Sequence, residues 1–510
     1  MELGILDISV IVLFFVIVLG TSMFKSRKEE TGEDYFLASR SLIWPIIGIS
    51  LIAANISSEQ FVGMSGQSAG NVGLAIASYE WMAAITLVFV AFFFLPKFLS
   101  SGIYTIPEFL EYRYNSVARS LMAFYTMVIY VGVTISAVIY SGAITIYTIF
   151  NVDLEMAVWI IGVIAALYTT YGGLKAVAWA DVFQGTALIV GGAIVLVFGL
   201  YAVGGLDNFF THNEDRLHMV LPADHPVLPW TALVIGLWIP NIYYWGLNQY
   251  ITQRTLAAKS LREGQKGIIF AAAIKIIIPF VIVFPGIMAA QLYGDSMNNT
   301  DAAYPLLIKN LIPSGLKGFM LAAIAGAVIS SLASMLNSAS TIFTLDLYKV
   351  YIKKDSSQKN LVFIGRVMTL IFVVLGCFIA PYLGDPKFQG IFTYIQEFQG
   401  YISPGILAAF VFGIIVKKAP PAAGVVALVA CVPVYGFLQW QFGEIAFLNR
   451  MAITFGIILL LMTIITLLKP LKEPKMLPKR ADIDLAPTPQ LMWWGGAVVL
   501  VTLILYGIFW

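Results

Sequence analysis

Apolar runs of about twenty residues recur along almost the whole chain, and each is long enough to cross a hydrocarbon core about 30 Å thick. They fall near 5–24, 45–65, 75–98, 118–148, 155–171, 180–202, 230–251, 267–292, 317–345, 362–384, 391–416, 421–441, 449–468 and 492–509. The pattern predicts an all-α polytopic membrane protein with about fourteen transmembrane helices. Basic residues cluster on alternate connections: Lys25, Arg27, Lys28 and Arg40; Arg113 and Arg119; Lys175; then Arg254, Lys259, Arg262 and Lys266. The series continues with Lys349, Lys353, Lys354 and Lys359, then Lys417 and Lys418, then Lys472, Lys475, Lys479 and Arg480. The opposite connections carry few, such as Arg216, Lys309 and Lys387. An excess of Lys and Arg marks the cytoplasmic side, so this alternation puts both termini outside the cytoplasm. Glu2 rather than a basic stretch precedes the first run, which reads as a retained helix and not a removable signal peptide. The connection 469–489 is rich in Pro and Lys and reads as a cytoplasmic linker before the last helix.

Several runs do not stay apolar. Gly48 to Met64 begins as a membrane span, then turns polar at Asn55, Ser57, Ser58, Glu59 and Gln60. Irregular backbone at membrane depth is tolerated only where it is buried in protein or lines a wet cavity. A broken helix there offers free carbonyls to a cation and polar side chains to a solute; the plainer reading is a helix that ends early. A partner interruption lies five spans on, in Trp238 to Tyr250, where Pro240 and Asn241 disturb the helix among Tyr243, Tyr244, Trp245, Asn248 and Gln249. An interfacial aromatic belt accounts for the rings but not for Pro, two Asn and Gln among them. A third run, Phe392 to Pro404, holds Gln396, Glu397 and further breakers.

Composition narrows the class. Of 510 residues, 59% are hydrophobic and 11% charged, with mean hydropathy +0.87, which excludes a soluble enzyme. Cys377 and Cys431 lie in apolar runs and read as core residues. His212, His218 and His225 share one connection without a metal-ligand spacing, and read as solvated loop residues. An intramembrane enzyme is disfavoured, because no nucleophile–base pair or ligand cluster appears among the spans.

Charges inside spans mark pathways by default. Glu80 lies just inside the third run, Asp181 opens the sixth, and Lys275 stands alone in Phe270 to Pro279, where it must find oxygens on another helix or lose its proton. Ala325 to Ser338 gathers small and hydroxyl residues, which serve either close helix packing or, through Ser330, Ser331 and Ser334, a weakly held monovalent cation.

The segments Ser50–Phe61, Leu74–Trp81, Tyr104–Phe109, Tyr171–Val177, Tyr243–Tyr250 with Arg254–Ser260, and Ser330–Asn337 together resemble the sodium/glucose cotransporter family of solute:sodium symporters, and within it the bacterial sodium/galactose symporters. The likeness covers nearly the whole chain. It implies a LeuT-like fold of inverted five-helix repeats at 45–202 and 230–416, with peripheral helices at 5–24 and 421–510. It implies sodium-coupled import of a neutral hexose by alternating access, in the plasma (inner) membrane. By that likeness sodium is held by the carbonyls of Ala53, Ile56 and Ala327 with the hydroxyls of Ser330 and Ser331, and Asp181 lies on its exit route. Sugar would meet Asn55, Gln60, Glu80, Asn241, Lys275 and Gln396. Tyr244 would close the site from the cytoplasm, and Met64, Tyr79 and Phe392 from outside. The partners so implied are a sugar, sodium and the lipid bilayer, with no nucleic acid. Two departures stand out. Ala83 replaces a sugar-facing serine, and Ala333 beside Ser334 lacks the second hydroxyl of members that use two sodium ions, which points to one. Other solutes (myo-inositol, an amino acid, sialic acid) and a transporter-like sensor or channel are the alternatives. A carboxylate substrate would want an unopposed arginine, and the breaks contain none.

Overall fold

The computed structural model describes residues 4–25, 37–171, 174–294, 297–385, 390–480, 483–486 and 488–510. Arg27, Lys28, Lys387 and the glycines 172 and 173 lie outside the described residues, as do the side chains of Lys25 and Lys175. The helices used below are α1 (Ile5–Lys25), α2 (Trp44–Asn55), α3 (Ser65–Ala69), α4 (Ser78–Phe93), α5 (Ser116–Ile129), α6 (Ser136–Phe150), α7 (Leu154–Tyr171) and α8 (Leu174–Ala202). They continue with α9 (Trp238–Leu247), α10 (Gln249–Leu256), α11 (Leu261–Tyr293), α12 (Leu316–Ile342), α13 (Gln358–Ile379), α14 (Ile391–Gln399), α15 (Ser403–Ile415), α16 (Pro421–Gln441), α17 (Phe447–Leu468) and α18 (Gln490–Ile508). Among the described residues there is no strand, only the isolated bridges Leu42–Ala258 and Ser260–Asp484.

Nine helices among the described residues are long and apolar enough to cross a membrane, or eleven when each of two bent pairs counts as one span. Ile5–Val18, Leu154–Leu167 and Ala232–Leu247 are shorter apolar helices. Length and apolarity alone therefore give fewer spans than the fourteen expected, since breaks and kinks shorten the continuous stretches. The two bent pairs are α2 with Gln60–Ala69, at 56°, and α14 with α15, at 46°.

Local chemistry sets the central pair of helices. Ser260 caps α11 by accepting the Glu263 amide at 3.2 Å, the Ser-x-x-Glu arrangement of a capping box. Glu263 in turn accepts the free first-turn amide of Trp44 at 2.9 Å, so α2 and α11 start together at one end of the bundle and run in the same direction. They cross at two glycines: a Cβ on Gly48 would lie 2.8 Å from the Gly267 carbonyl oxygen. From that crossing, at 1.5 Å per residue, Asn55 is about 10 Å and Lys275 about 12 Å further up. The glycine contact thus brings both side chains to one level. Around this pair pack α4, α8 and α12.

Several cations that the charge pattern assigns to cytoplasmic connections are buried. Arg113 is 2% exposed and donates to the carbonyls of Gly413, Val416 and Ala419. Arg254, at 1%, sits deeper still. Both act as internal fasteners, because a guanidinium can satisfy several carbonyls at once. Replacing Arg113 with Leu removes a donor from three carbonyls, of which that of Val416 keeps the Ala419 amide. It should reduce the folded fraction recovered in detergent, read by size-exclusion profile and melting temperature, whereas the exposed Lys354 changed to Leu should not.

Candidate functional site

The first break has a definite hydrogen-bond cause. The amide of Ser57, which in a continuous helix would bond Ala53, turns instead to Asn55 at 2.9 Å. The amide of Gln60 goes to Ser57 rather than Ile56, at 3.1 Å. Ile56 itself has ψ 76°, outside the helical region. The carbonyls of Ala53 and Ile56 are thereby released from their intrahelical bonds at membrane depth, the condition for a cation site at a discontinuous helix. Facing them, α12 carries Ala327, Ser330 and Ser331, all buried. The Ser331 hydroxyl is fully buried and has no hydrogen-bond partner. Ser330 is differently engaged, donating to Asp181 of α8.

Asp181 is fully buried and paired with Arg254 of α10, Nη2 to Oδ2, at 2.8 Å. The same guanidinium nitrogen reaches the Ser334 hydroxyl at 2.9 Å, and Nε reaches Ser50 at 2.6 Å. Ser50 also donates to Asp181 at 2.5 Å. One arginine thus holds together α2, α8, α10 and α12, among them α2 and α12, which carry the candidate sodium ligands. Its sequence position among cytoplasmic cations hid this role.

On the other side of Asn55 lies the candidate solute site. The Lys275 ammonium, fully buried, donates to Asn55 Oδ1 and Glu80 Oε2 and lies 4.9 Å above the Trp245 ring. Lys275 therefore finds its oxygens on α2 and α4. Asn55 passes the connection on, giving its Nδ2 hydrogen to the Tyr244 hydroxyl at 3.1 Å, which also accepts from Tyr250 at 2.6 Å. Asn241 spends one amide hydrogen on the Leu237 carbonyl of its own helix. Asn55, Gln60, Glu80, Asn241, Tyr244 and Gln396 share one small cavity of about 40 Å³. The amide oxygens of Gln60 and Gln396 are buried without partners. Gln399, Trp245 and Pro240 complete the lining. Gln399 was not anticipated, though its place beside Gly400 in a polar cluster was the available signal.

The second run is disturbed twice. A π-helical stretch, Ala232–Gly236, leads directly into α9, so Pro240 stands inside a continuous helix just past that bulge, and the helix stops at Asn248, with ψ 123°. Tyr130 fixes that residue, donating to Asn248 Oδ1 while accepting the Tyr250 amide at 3.2 Å.

The cavity is walled off at both ends. At the end that the charge pattern would put outside, Tyr79 and Phe392 meet edge-to-face at 4.8 Å, and Met64 is fully buried. The outer connection adds Asp301, 2% exposed, whose Oδ2 accepts the first amide of α14, that of Ile391, at 3.2 Å. On the inner side Tyr244 and Tyr250 lie beneath, and the Ile106 amide bonds Gln249 at 2.8 Å. A cavity of this size holds about three waters, so a solute as large as a sugar enters only as the walls part.

A profile of the Sodium:solute symporter family matches residues 35–429. The chain belongs to the sodium:solute symporter family. It is 43% identical over 483 residues to the "Sodium/glucose cotransporter" of Vibrio parahaemolyticus, covering 89% of this chain and 88% of that one. Against "Sodium/myo-inositol cotransporter 2" of Oryctolagus cuniculus the identity is 34% over 451 residues, 81% of this chain and 66% of the relative. A solved Na+-coupled sialic acid symporter, outward-open with substrate bound, superposes with TM-score 0.81 at 22% identity, over 93% of this chain and 99% of that one. That likeness is one of fold alone. The protein is a multi-pass, sodium-coupled symporter.

Asp301 supplies a pH test of the outer closure. Burial pushes its carboxyl up to about 7, and opening would return it toward the ordinary value near 4. The closed form therefore binds more protons between about pH 4 and 7. Closure is strongest below that window and weakens as pH rises through it. An impermeant thiol reagent acting on Met64→Cys should react faster at about pH 8 than at about pH 5, after correction for the thiolate fraction. Asp301→Asn should flatten that dependence.

The Tyr244 hydroxyl is tied to both Asn55 and Tyr250, so ring and hydroxyl both contribute to the inner cover. Tyr244→Phe should weaken solute accumulation by about fivefold, the scale of one lost hydrogen bond, and Tyr244→Ala should abolish it. Both are read from initial and plateau uptake in proteoliposomes.

Proposed function

We propose that this symporter carries a neutral hexose inward together with one sodium ion. The observation that carries the reading is the cavity's chemistry: the Glu80 carboxylate, its charge matched by Lys275 behind the cavity wall, beside the unpartnered amide oxygens of Gln60 and Gln396. A ring of hydroxyls offers the donors those oxygens lack and brings no charge of its own. A carboxylate solute would need a cation to spare, and Lys275 is already matched by Glu80. The relative named as a sodium/glucose cotransporter supports the same solute class. The myo-inositol relative marks the nearest alternative, another neutral polyol. Ala83, in place of a hydroxyl, removes one hydrogen bond worth about 1 kcal/mol and shifts preference within that class.

Sodium belongs at Ala53, Ile56, Ala327, Ser330 and Ser331, where released carbonyls on α2 face hydroxyls on α12. One ion suffices. A membrane potential of about 100 mV contributes about 2.3 kcal/mol per charge, and a tenfold gradient about 1.4 kcal/mol, enough for accumulation of several hundredfold. The Arg254 guanidinium already holds Asp181 and Ser334, so a second cation finds that cluster taken. Asp181, on the sodium exit route, then delivers its ion only as Arg254 yields. The inverted repeats at 45–202 and 230–416 place the two breaks opposite each other, and the chain resides in the plasma (inner) membrane with both termini extracytoplasmic.

The decisive experiment is uptake of a panel of labelled solutes into proteoliposomes with and without a sodium gradient. Galactose or glucose should accumulate only with the gradient, and Lys275→Ala and Gln396→Ala should abolish accumulation while inserting normally. Accumulation of an amino acid or a sialic acid instead would overturn the reading, as would unsaturable flux without accumulation. Ser331→Ala should raise half-saturating sodium by about fivefold or more and leave sugar affinity at saturating sodium near wild type. An unchanged sodium dependence would move the ion elsewhere.

A further inference from the structure

The second bent span is gripped from outside the core. α14 ends at Gln399, turns through residues 400–402, and resumes as α15. Gln396 and Gln399 line the cavity, and Phe392, one turn earlier, closes it against Tyr79. Glu397 lies between the two glutamines and is held from elsewhere. Arg450, near the outer end of α17, donates from Nη2 to Glu397 Oε1 at 2.6 Å. Gln439, near the outer end of α16, donates to the same oxygen at 2.9 Å. Within the bend, Tyr401 donates to the Gln439 amide oxygen.

The packing beneath is equally specific. The Tyr435 ring of α16 lies 4.9 Å from Tyr401, and the Arg450 guanidinium is 5.8 Å from the Tyr435 centroid. Gly400 permits this, since a Cβ there would come within 2.4 Å of the Tyr435 ring. Arg450 is 4% exposed and is anchored at Nη1 by the Gly443 carbonyl at 3.0 Å. The last turn of α14 and the bend itself are therefore fastened to one hairpin, α16–α17, by a single polar network.

We propose that Arg450 is a positioning residue of the solute site: through Glu397 it fixes the last turn of α14, and with it the direction of Gln396 and Gln399. Arg450 touches no solute. A carboxylate one residue from Gln396, left without its cation, would turn toward the wet cavity and carry that turn of helix with it. The same link makes α16–α17 part of the outer gate, because α14 cannot swing away without either breaking the ion pair or dragging the hairpin along. The inference rests on the reading of Gln396 as a solute contact.

The test compares Arg450→Gln, Arg450→Lys, Glu397→Gln and the double variant Arg450→Gln/Glu397→Gln in proteoliposomes. The solute is whichever member of the panel the wild type accumulates, so a wrong sugar assignment leaves this test intact. Arg450→Gln should raise the solute KM about tenfold, with half-saturating sodium at saturating solute within about twofold of wild type. Arg450→Lys keeps the charge and should recover most of the KM. The double variant, in which two amides replace the ion pair, should also lie closer to wild type than Arg450→Gln. An Arg450→Gln protein with unchanged KM overturns the proposal, even if its yield or melting temperature falls. A raised KM that neither Lys nor the neutral pair relieves also overturns it, since the ion pair would then not be the agent.

Discussion

Inside a bilayer no water is at hand to satisfy a carbonyl that leaves its helix, so a broken helix must supply its own partners or take a cation. At Asn55 the chain does both. Two amides turn back on the loop and release the carbonyls of Ala53 and Ile56, while the next side chain, Asn55, is pinned by Lys275 on one side and Tyr244 on the other. The groups proposed for ion and for solute therefore belong to one short stretch of backbone. On that proposal, ordering the stretch for sodium also sets Asn55 and Gln60 for the solute, which would be the physical content of symport in this chain.

Two buried ion pairs flank the break. Lys275–Glu80 joins α11 to α4, and Arg254–Asp181 joins α10 to α8. Buried pairs add little net stability, but breaking one leaves an uncompensated charge at high cost. They therefore act as discrete fasteners, made or unmade, rather than as springs. Beside the proposed sodium site the arginine shares Ser50 with its carboxylate and holds Ser334 alone. Beside the proposed solute site the lysine is held by Asn55 and Glu80.

The sequence makes the apolar runs and the first break legible, because polar residues in a span have few innocent explanations. Lys275 follows the same logic: alone at depth, it had to find partners on another helix. Where reading failed, the reason was three-dimensional. Pro240 does mark a disturbed helix, the π-helical stretch Ala232–Gly236 just before it, but the backbone leaves the helix only at Asn248, whose side-chain oxygen is gripped by Tyr130 from elsewhere in the fold. Arg254 was counted as a cytoplasmic marker; its burial depends on Asp181, seventy-three positions earlier. Gln399 and Arg450 were invisible for a related reason, since a polar residue near a span end gives no sign of which way it faces.

Reciprocal linkage between sodium and sugar tests the central claim most directly. Sugar affinity should be measured by calorimetry or intrinsic fluorescence at several sodium concentrations, and sodium affinity at several sugar concentrations. If sodium orders the break that carries Asn55 and Gln60, each ligand should tighten the other by the same factor, about 5- to 150-fold. Sugar affinity that is the same with and without sodium would contradict the account.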